Sequence, residues 1–242
     1  DNEGLFLNDL VDIGIGRIPV SNQFEANILI NKIESYYSKD SFGKWRNNVV
    51  FIADDGDASD GNTFMADSDS LSNIISENYE FLNIEKIYLD NYLQESTSGG
   101  PRSVAAQDAI NNTIDRGVLL VNYIGHGGQL GWTQERILEI DQINNWNNRN
   151  KLPLFMTATC KFAPFDNPEK KSAGEHVIIN EHGGAIALLT TTRLVYLIRF
   201  KDNTVVTKIG RGTAQFLVEK NIYKYFNERT KDLVVKNHIL RT

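Results

Sequence analysis

Val118-Leu-Leu-Val-Asn-Tyr-Ile-Gly-His126-Gly-Gly128 and Leu152-Pro-Leu-Phe-Met-Thr-Ala-Thr-Cys160 are the two stretches on which the fold turns. Each is a short apolar run that reads as a buried strand. A histidine lies just past the end of the first and the chain's one cysteine just past the end of the second. In an open parallel sheet the carboxyl edge is where ligands bind. A thiol and an imidazole at one such edge are what nucleophilic thiol catalysis requires. The 34 positions between His126 and Cys160 leave room for one crossover with its helix.

Working outward, strand-like and helix-like stretches alternate over the first 190 residues. Asp12–Val20 reads as a strand. Gln23–Ser38 carries Phe24, Ile28, Ile30, Ile33 and Tyr37 at helical spacing. Val49–Ala53 and Glu85–Leu89 read as strands, and Asp67–Asn78 as a helix with Leu71, Ile74 and Ile75 inward. Ser103 is placed to cap a helix over Val104–Arg116 that Gly117 ends. Val118–Ile124, Leu154–Thr159 and Ala185–Thr190 are further strands, with a helix over Gly174–Asn180. Strands separated by helices of this length predict an α/β fold with a mainly parallel sheet flanked by helices. The long polar connections Asp54–Asp69, Asn91–Arg102 and Lys161–Ser172 are where such a fold carries function.

Composition bounds the reading. The chain has 242 residues, 41% of them hydrophobic, which suits one sizeable core or one domain with an appendage. The net charge of −6 argues against general nucleic-acid binding. No run of about 18 apolar residues is present to span a membrane as a helix. The chain opens on Asp1 without a methionine and is read as a piece of something larger. A single cysteine excludes an internal disulfide and the multi-thiolate zinc patterns. Charge is uneven: residues 1–192 carry 14 Lys/Arg against 27 Asp/Glu, and residues 193–242 carry 11 against 4. That inversion suggests a domain over 1–196 and a basic tail over 197–242, either a divergent edge of the domain or a separately joined segment. In the tail, Thr204–Ile209 reads as a strand and Thr213–Phe226 as an amphipathic helix whose basic face docks on the acidic body.

The thiolate is the reactive form of cysteine, and a free thiol with a pKa near ~8.5 is mostly protonated at neutral pH. An adjacent imidazole takes that proton or pairs with the thiolate. Gly125, Gly127 and Gly128 let the backbone approach a substrate closely. The N–H groups of Gly127 and Cys160 are candidates for an oxyanion hole. Taken alone, Gly-His-Gly-Gly is a tight turn with a surface histidine, and a lone cysteine is usually a small buried hydrophobe. Their coincidence at neighbouring strand ends favours catalysis. His176, His182 and His238 have no such context.

Asp54-Asp-Gly-Asp-Ala-Ser-Asp-Gly-Asn-Thr-Phe-Met-Ala-Asp67-Ser-Asp69 places six carboxylates in 16 positions. Calcium is a candidate ligand of this segment, and no cofactor is otherwise required. An EF-hand is excluded: read from Asp55, position six is Asp60 with Gly61 one place late, and position twelve is Ala66. The alternatives are a solvated acidic loop, or a carboxylate that orients His126 as a third catalytic member. Asp55 and Asp67 are the candidates for that role.

With these residues laid out, the chain resembles the gingipain-type, caspase-like cysteine peptidases, and within them looks closest to the PorU-type sortases of type IX secretion. The matching stretches are Ile13-Gly-Ile-Gly-Arg-Ile-Pro-Val20, Phe51-Ile-Ala-Asp-Asp-Gly-Asp57, Asn122-Tyr-Ile-Gly-His-Gly-Gly128, Thr157-Ala-Thr-Cys-Lys-Phe162, Ser172-Ala-Gly-Glu175 and Gly183-Gly-Ala-Ile-Ala-Leu-Leu-Thr-Thr-Thr-Arg193. The resemblance covers about Asp9 to Tyr196. It implies a caspase-like parallel sheet, His126 as the catalytic histidine and Cys160 as the nucleophile. It further implies removal of the C-terminal signal domain of secreted cargo at the outer-membrane surface, through a thioester at Cys160. The acyl group then passes to an amine of anionic lipopolysaccharide or to water, and the enzyme works beside a PorV-like outer-membrane β-barrel partner. Lys161 departs from the acidic residue expected after the cysteine. A secreted gingipain-like endopeptidase and a catalytically silent scaffold of the same fold are the alternatives.

Overall fold

The computed structural model describes residues 16–58, 60–199, 205–209 and 215–217. In chain order the elements are α1 (Gln23–Tyr36), β1 (Asn48–Ala53), α2 (Thr63–Asn78), β2 (Asn83–Tyr88), β3 (Glu95–Thr97), β4 (Gly100–Arg102), α3 (Val104–Arg116) and β5 (Leu120–Ile124). They continue with β6 (Gly127–Gly128), β7 (Gly131–Trp132), β8 (Leu138–Glu139), α4 (Ile140–Asn145), β9 (Leu154–Ala158), α5 (Ala173–Ile179), β10 (Ala187–Leu189), β11 (Val195–Arg199), β12 (Val205–Ile209) and β13 (Gln215–Leu217).

Five of these strands form one sheet in the order β10-β9-β5-β1-β2, with every pair parallel. The central strands are apolar on both faces, as a sheet covered by helices on both sides requires. Along β1, Val50 and Ile52 face one layer with Ala106, Ile110 and Ile114 of α3, Ile143 of α4 and Val177 of α5. Val49, Phe51 and Ala53 face the other with Phe64 and Ile75 of α2. The fold is thus α/β, a parallel sheet between helical layers, as the alternation of elements predicts. No helix among the described residues is long and apolar enough to cross a membrane.

Several local expectations are corrected. Residues 16–20 form no strand, and the rest of Asp12–Val20 lies outside the described residues. In α1 the buried positions are Glu25, Ile28, Leu29 and Lys32, whereas Phe24, Ile30, Ile33 and Tyr37 are exposed. Polar contacts choose this face. Glu25 pairs with Lys171 at 2.8 Å. The buried Lys32 Nζ donates to the carbonyls of Ile178 (2.7 Å), Gly183 (2.8 Å) and Asn180 (3.4 Å), where α5 ends. α2 starts at Thr63, four residues before the expected start, and turns Ile75 inward but Ile74 outward. Ser103 sits at the N-cap of α3, yet its hydroxyl donates to the Leu93 carbonyl instead of capping the helix. Within the helix expected over Thr213–Phe226, residues 215–217 are a strand, β13, and the remainder lies outside the described residues. The boundary expected at 196/197 falls inside β11.

Candidate active site

The site is built by register. Ile124 of β5 pairs with Ala158 of β9, and the Gly125 N–H still reaches the Ala158 carbonyl at 3.3 Å. His126 and Cys160 each lie two residues beyond that last pair. Adjacent parallel strands run about 4.8 Å apart, so the two residues leave the same edge side by side.

The histidine loop is a tight hairpin. Gly128 opposes Gly131 and Gly127 opposes Trp132. The Thr133 N–H donates to the His126 carbonyl at 3.1 Å, which makes Gly127 and Trp132 a non-hydrogen-bonded pair and leaves the Gly127 N–H outside the ladder. A Cβ at Gly127 would sit 2.4 Å from Thr159 Oγ1, so the hairpin lies directly on the residue preceding Cys160. The indole of Trp132 stacks on Tyr123 with centroids 4.0 Å apart, anchoring the hairpin to β5.

The His126 ring is 46% exposed. Its Nε2 lies 2.9 Å from Asp60 Oδ2 and 3.9 Å from Asp57 Oδ2, and the Phe64 ring meets it edge-on at 5.1 Å. A carboxylate only accepts, so Nε2 carries the hydrogen and the neutral ring presents its lone pair on Nδ1. Asp60, not Asp55 or Asp67, is therefore the carboxylate set against the imidazole. Asp55 Oδ2 accepts from Gln94 Nε2 at 2.9 Å. The early start of α2 carries Asp67 into the helix, half-buried.

Cys160 is half-buried, and its Sγ lies 3.5 Å from the Val195 carbonyl as a donor. The chain after it runs against residues 191–195: Lys161 N–H donates to Arg193 O and Ala163 N–H to Thr191 O, both at 3.1 Å. The Thr191 hydroxyl donates to the Thr159 carbonyl. Lys161 has φ +48°, a left-handed conformation that a side-chain-bearing residue adopts at a cost of order 1–3 kcal/mol and that clusters at functional sites. The Lys161–Ser172 loop is tied down on several sides. Arg193 pairs with Asp166, the Arg17 guanidinium lies 4.1 Å over the Phe165 ring, and Gln129 Nε2 donates to Lys170 O at 3.0 Å. The Ser172–Glu175 capping box then starts α5. The Asn91–Arg102 loop, with its β3–β4 hairpin, reaches the acidic segment through Gln94.

Among the described residues, two groups bring one donor atom from each member within 4.8 Å of the others: Asp57, Asp60 and His126, and Asp54, Asp55 and Glu135. Calcium prefers oxygen donors, and the first group includes an imidazole nitrogen. In the second group both Asp54 oxygens already accept backbone N–H groups. Asp54 was legible by the rule that found the other two, since it is the first residue past β1, the neighbour of β5. Asp60 lies in a loop that no periodicity constrains.

This arrangement of fold and residues is that of a caspase-like cysteine peptidase. The model of peptidase family C25 matches residues 1–234, and the chain belongs to that family of gingipain-type cysteine peptidases. Among solved structures it is similar to the Arg-specific cysteine proteinase gingipain R (RgpB), at TM-score 0.59 and 19% identity over 73% of this chain and 39% of that one. The complex of Porphyromonas gingivalis RgpB pro- and mature domains gives TM-score 0.58 and 18% identity over 72% and 39%. A third structure, described only as a protease, gives TM-score 0.53 and 20% identity over 73% and 36%. The chain thus spans well under half the length of these relatives. Comparison with curated proteins finds no significant match.

Proposed function

We propose that this chain is the catalytic part of a cell-surface sortase of type IX secretion. It cleaves the C-terminal signal domain from cargo and passes the cargo to an amine of lipopolysaccharide or to water. The placement of His126 and Cys160 at matched positions past β5 and β9 carries the chemistry. His126 Nδ1 takes the thiol proton, with Asp60 holding the ring through Nε2. The thiolate attacks the scissile carbonyl, and the oxyanion is met by the N–H groups of Gly127 and Cys160. Collapse breaks the C–N bond, the imidazolium returns its proton to the departing amine, and a thioester remains on Cys160. An incoming amine or water then gives up a proton to His126 and releases the acyl group from sulfur.

The sortase reading, its outer-membrane location and its PorV-like β-barrel partner rest on the Thr157-Ala-Thr-Cys160 and Gly183-Gly-Ala-Ile-Ala187 stretches. The tethered loops Lys161–Ser172 and Asn91–Arg102 supply walls for a groove on either side of the edge. A secreted endopeptidase is the second reading, favoured by the likeness to structures described as proteinases. The test incubates the protein with cargo and a glycine peptide. An amide adduct at the new cargo C-terminus supports transfer; only the free carboxylate, at amine concentrations where other sortases transfer, supports the endopeptidase. Cys160→Ala must abolish both products.

A further inference from the structure

His126 is held by more than its ring. Asp54 is 3% exposed, and its two oxygens serve two different amides: Oδ2 accepts the His126 N–H at 2.8 Å and Oδ1 the Asp55 N–H at 3.0 Å. Its own N–H donates to the Ile124 carbonyl at 3.1 Å, which continues the β1–β5 ladder to the point where the histidine loop leaves it. On the other side of the same residue, the fully buried Tyr123 donates its phenolic O–H to the His126 carbonyl at 2.5 Å. The two side chains close over Gly125. A Cβ there would lie 2.3 Å from Asp54 Cβ and 2.6 Å from Tyr123 Oη, and φ is +157°. Only glycine leaves them room.

We propose that Asp54 and Tyr123 are positioning residues for thiol activation, clamping the His126 backbone from its N–H and carbonyl sides and so fixing where the imidazole stands relative to Cys160. The inference rests on the reading of His126 as the base. Asp60 and Phe64 fix the ring's rotation but not the position of its Cα; the clamp does that. A carboxylate suits the task because two N–H groups converge on it. Asparagine offers one acceptor oxygen, so one of the two amides would face an NH2 group. Burial makes a carboxylate costly here and pushes Asp54 up to about 7, while the His126 N–H acts the other way. Aspartate therefore stands at a position where its charge is disfavoured, and the service it gives is two-pronged acceptance. Tyr123 reaches the carbonyl from a ring already locked against Trp132.

The experiment compares wild type, Asp54→Asn, Tyr123→Phe and Cys160→Ala. The readouts are the rate of iodoacetamide alkylation of Cys160 near neutral pH, kcat and KM on a peptide the wild-type protein cleaves, and melting temperature. Misplacing a reacting group by about 1 Å costs about 10²-fold, so both clamp variants should lose alkylation rate and kcat by roughly 10- to 100-fold with KM unchanged. A purely structural role would lower the melting temperature and leave the alkylation rate of the folded protein as it was. That result, or wild-type alkylation and kcat in both variants, overturns the clamp. If Asp54→Asn does not fold, Tyr123→Phe, which keeps the buried ring, decides alone. Cleavage by Cys160→Ala at the wild-type rate would instead sink the peptidase reading itself, whereas a dead Cys160→Ala beside fully active clamp variants sinks only this inference.

Discussion

Gly127→Ala should disable the site through one methyl group. Gly127 has no positive φ that would strain an alanine, so the effect is steric alone. The new Cβ would sit 2.4 Å from Thr159 Oγ1, 3.1 Å from the Gly131 carbonyl oxygen and 3.4 Å from Thr159 Cγ2. Ordinary contact starts at 3.4 Å, so the hairpin and Thr159 must part by about 1 Å. Thr159 has little freedom to yield. Its χ1 is stiffened by branching, rotation brings Cγ2 toward the same methyl, and its carbonyl is tied to the Thr191 hydroxyl. The displacement therefore falls between His126 and Cys160. A shift of about 1 Å predicts a loss of about 10²-fold in kcat, near 2.7 kcal/mol of barrier. Overpacking adds about 1–3 kcal/mol of destabilisation, and each kcal/mol lowers the melting temperature by roughly 2–4 °C in a chain of this size. The assay is peptide cleavage and iodoacetamide alkylation of Cys160, paired with a thermal melt. The decisive variant is Gly127→Ala combined with Thr159→Ala. Thr159 Oγ1 is buried without a hydrogen-bond partner among the described residues, so its removal breaks no bond while vacating the space. The double variant should recover at least tenfold of the lost activity, a coupling read as a double-mutant cycle. Wild-type activity in Gly127→Ala, or no recovery in the double variant, would refute the reasoning.

Burial lowers Lys32 from 10.5 to about 7, so between those values the unfolded chain binds more protons and stability rises with pH. Lys32→Met should remove that rise and, by stranding three carbonyls, lower stability at pH 7 by about 1–3 kcal/mol, the cost of leaving buried acceptors without a donor; identical slopes of melting temperature over pH 7–10 in the two proteins would contradict it. Asp60→Asn should reduce kcat and Cys160 alkylation by about tenfold or more, part of the roughly 10²–10⁴-fold that general-base catalysis contributes, while Asp55→Asn and Asp67→Asn stay near wild type. A larger loss in either of those than in Asp60→Asn would reassign the orienting carboxylate. Calcium in the acidic segment is settled by calorimetric titration of wild type against Asp57→Asn/Asp60→Asn: heat of binding that disappears in the double variant supports a site, and no heat in wild type removes it.

The parts of this fold legible in the sequence are those fixed by local rules. β1, β5 and β9 are apolar on both faces because helices cover both, and an unbroken apolar run shows that without reference to anything distant. The face of α1 was not legible. Apolar spacing favoured Phe24, Ile30 and Ile33, but Glu25 and Lys32 are drawn inward by Lys171 and the carbonyls of Ile178 and Gly183, about 150 residues away in sequence. β6, β7 and β8 are two residues each, too short to show an alternation of their own. Their pairing is set by a two-residue turn and by Trp132 stacking on Tyr123.

The candidate site follows the same division, and the strand-end rule reaches further than its first use. Applied to β5 and β9 it finds His126 and Cys160; applied to β1, the next strand in the sheet, it finds Asp54. Three consecutive parallel strands thus contribute the first or second residue past their ends, and the sheet's fixed spacing turns that pattern into proximity without help from any loop. Asp60 belongs to the other class. It reaches His126 only because the chain between β1 and α2 folds back over the sheet edge, with the Asp60 N–H on Asp57 Oδ1 at 3.1 Å and the Gly61 N–H on the Asp57 carbonyl at 3.0 Å. Substitution of a residue supplied by the strand ends should leave the ladder itself intact, so its effect is confined to the side-chain bonds lost, as with Asp54 and the His126 N–H. Loss of a loop-supplied carboxylate should be partly made good by another from the same loop. Asp57, already 3.9 Å from Nε2, is placed to do so, and Asp57→Asn/Asp60→Asn should therefore lose more activity than the two single losses combined.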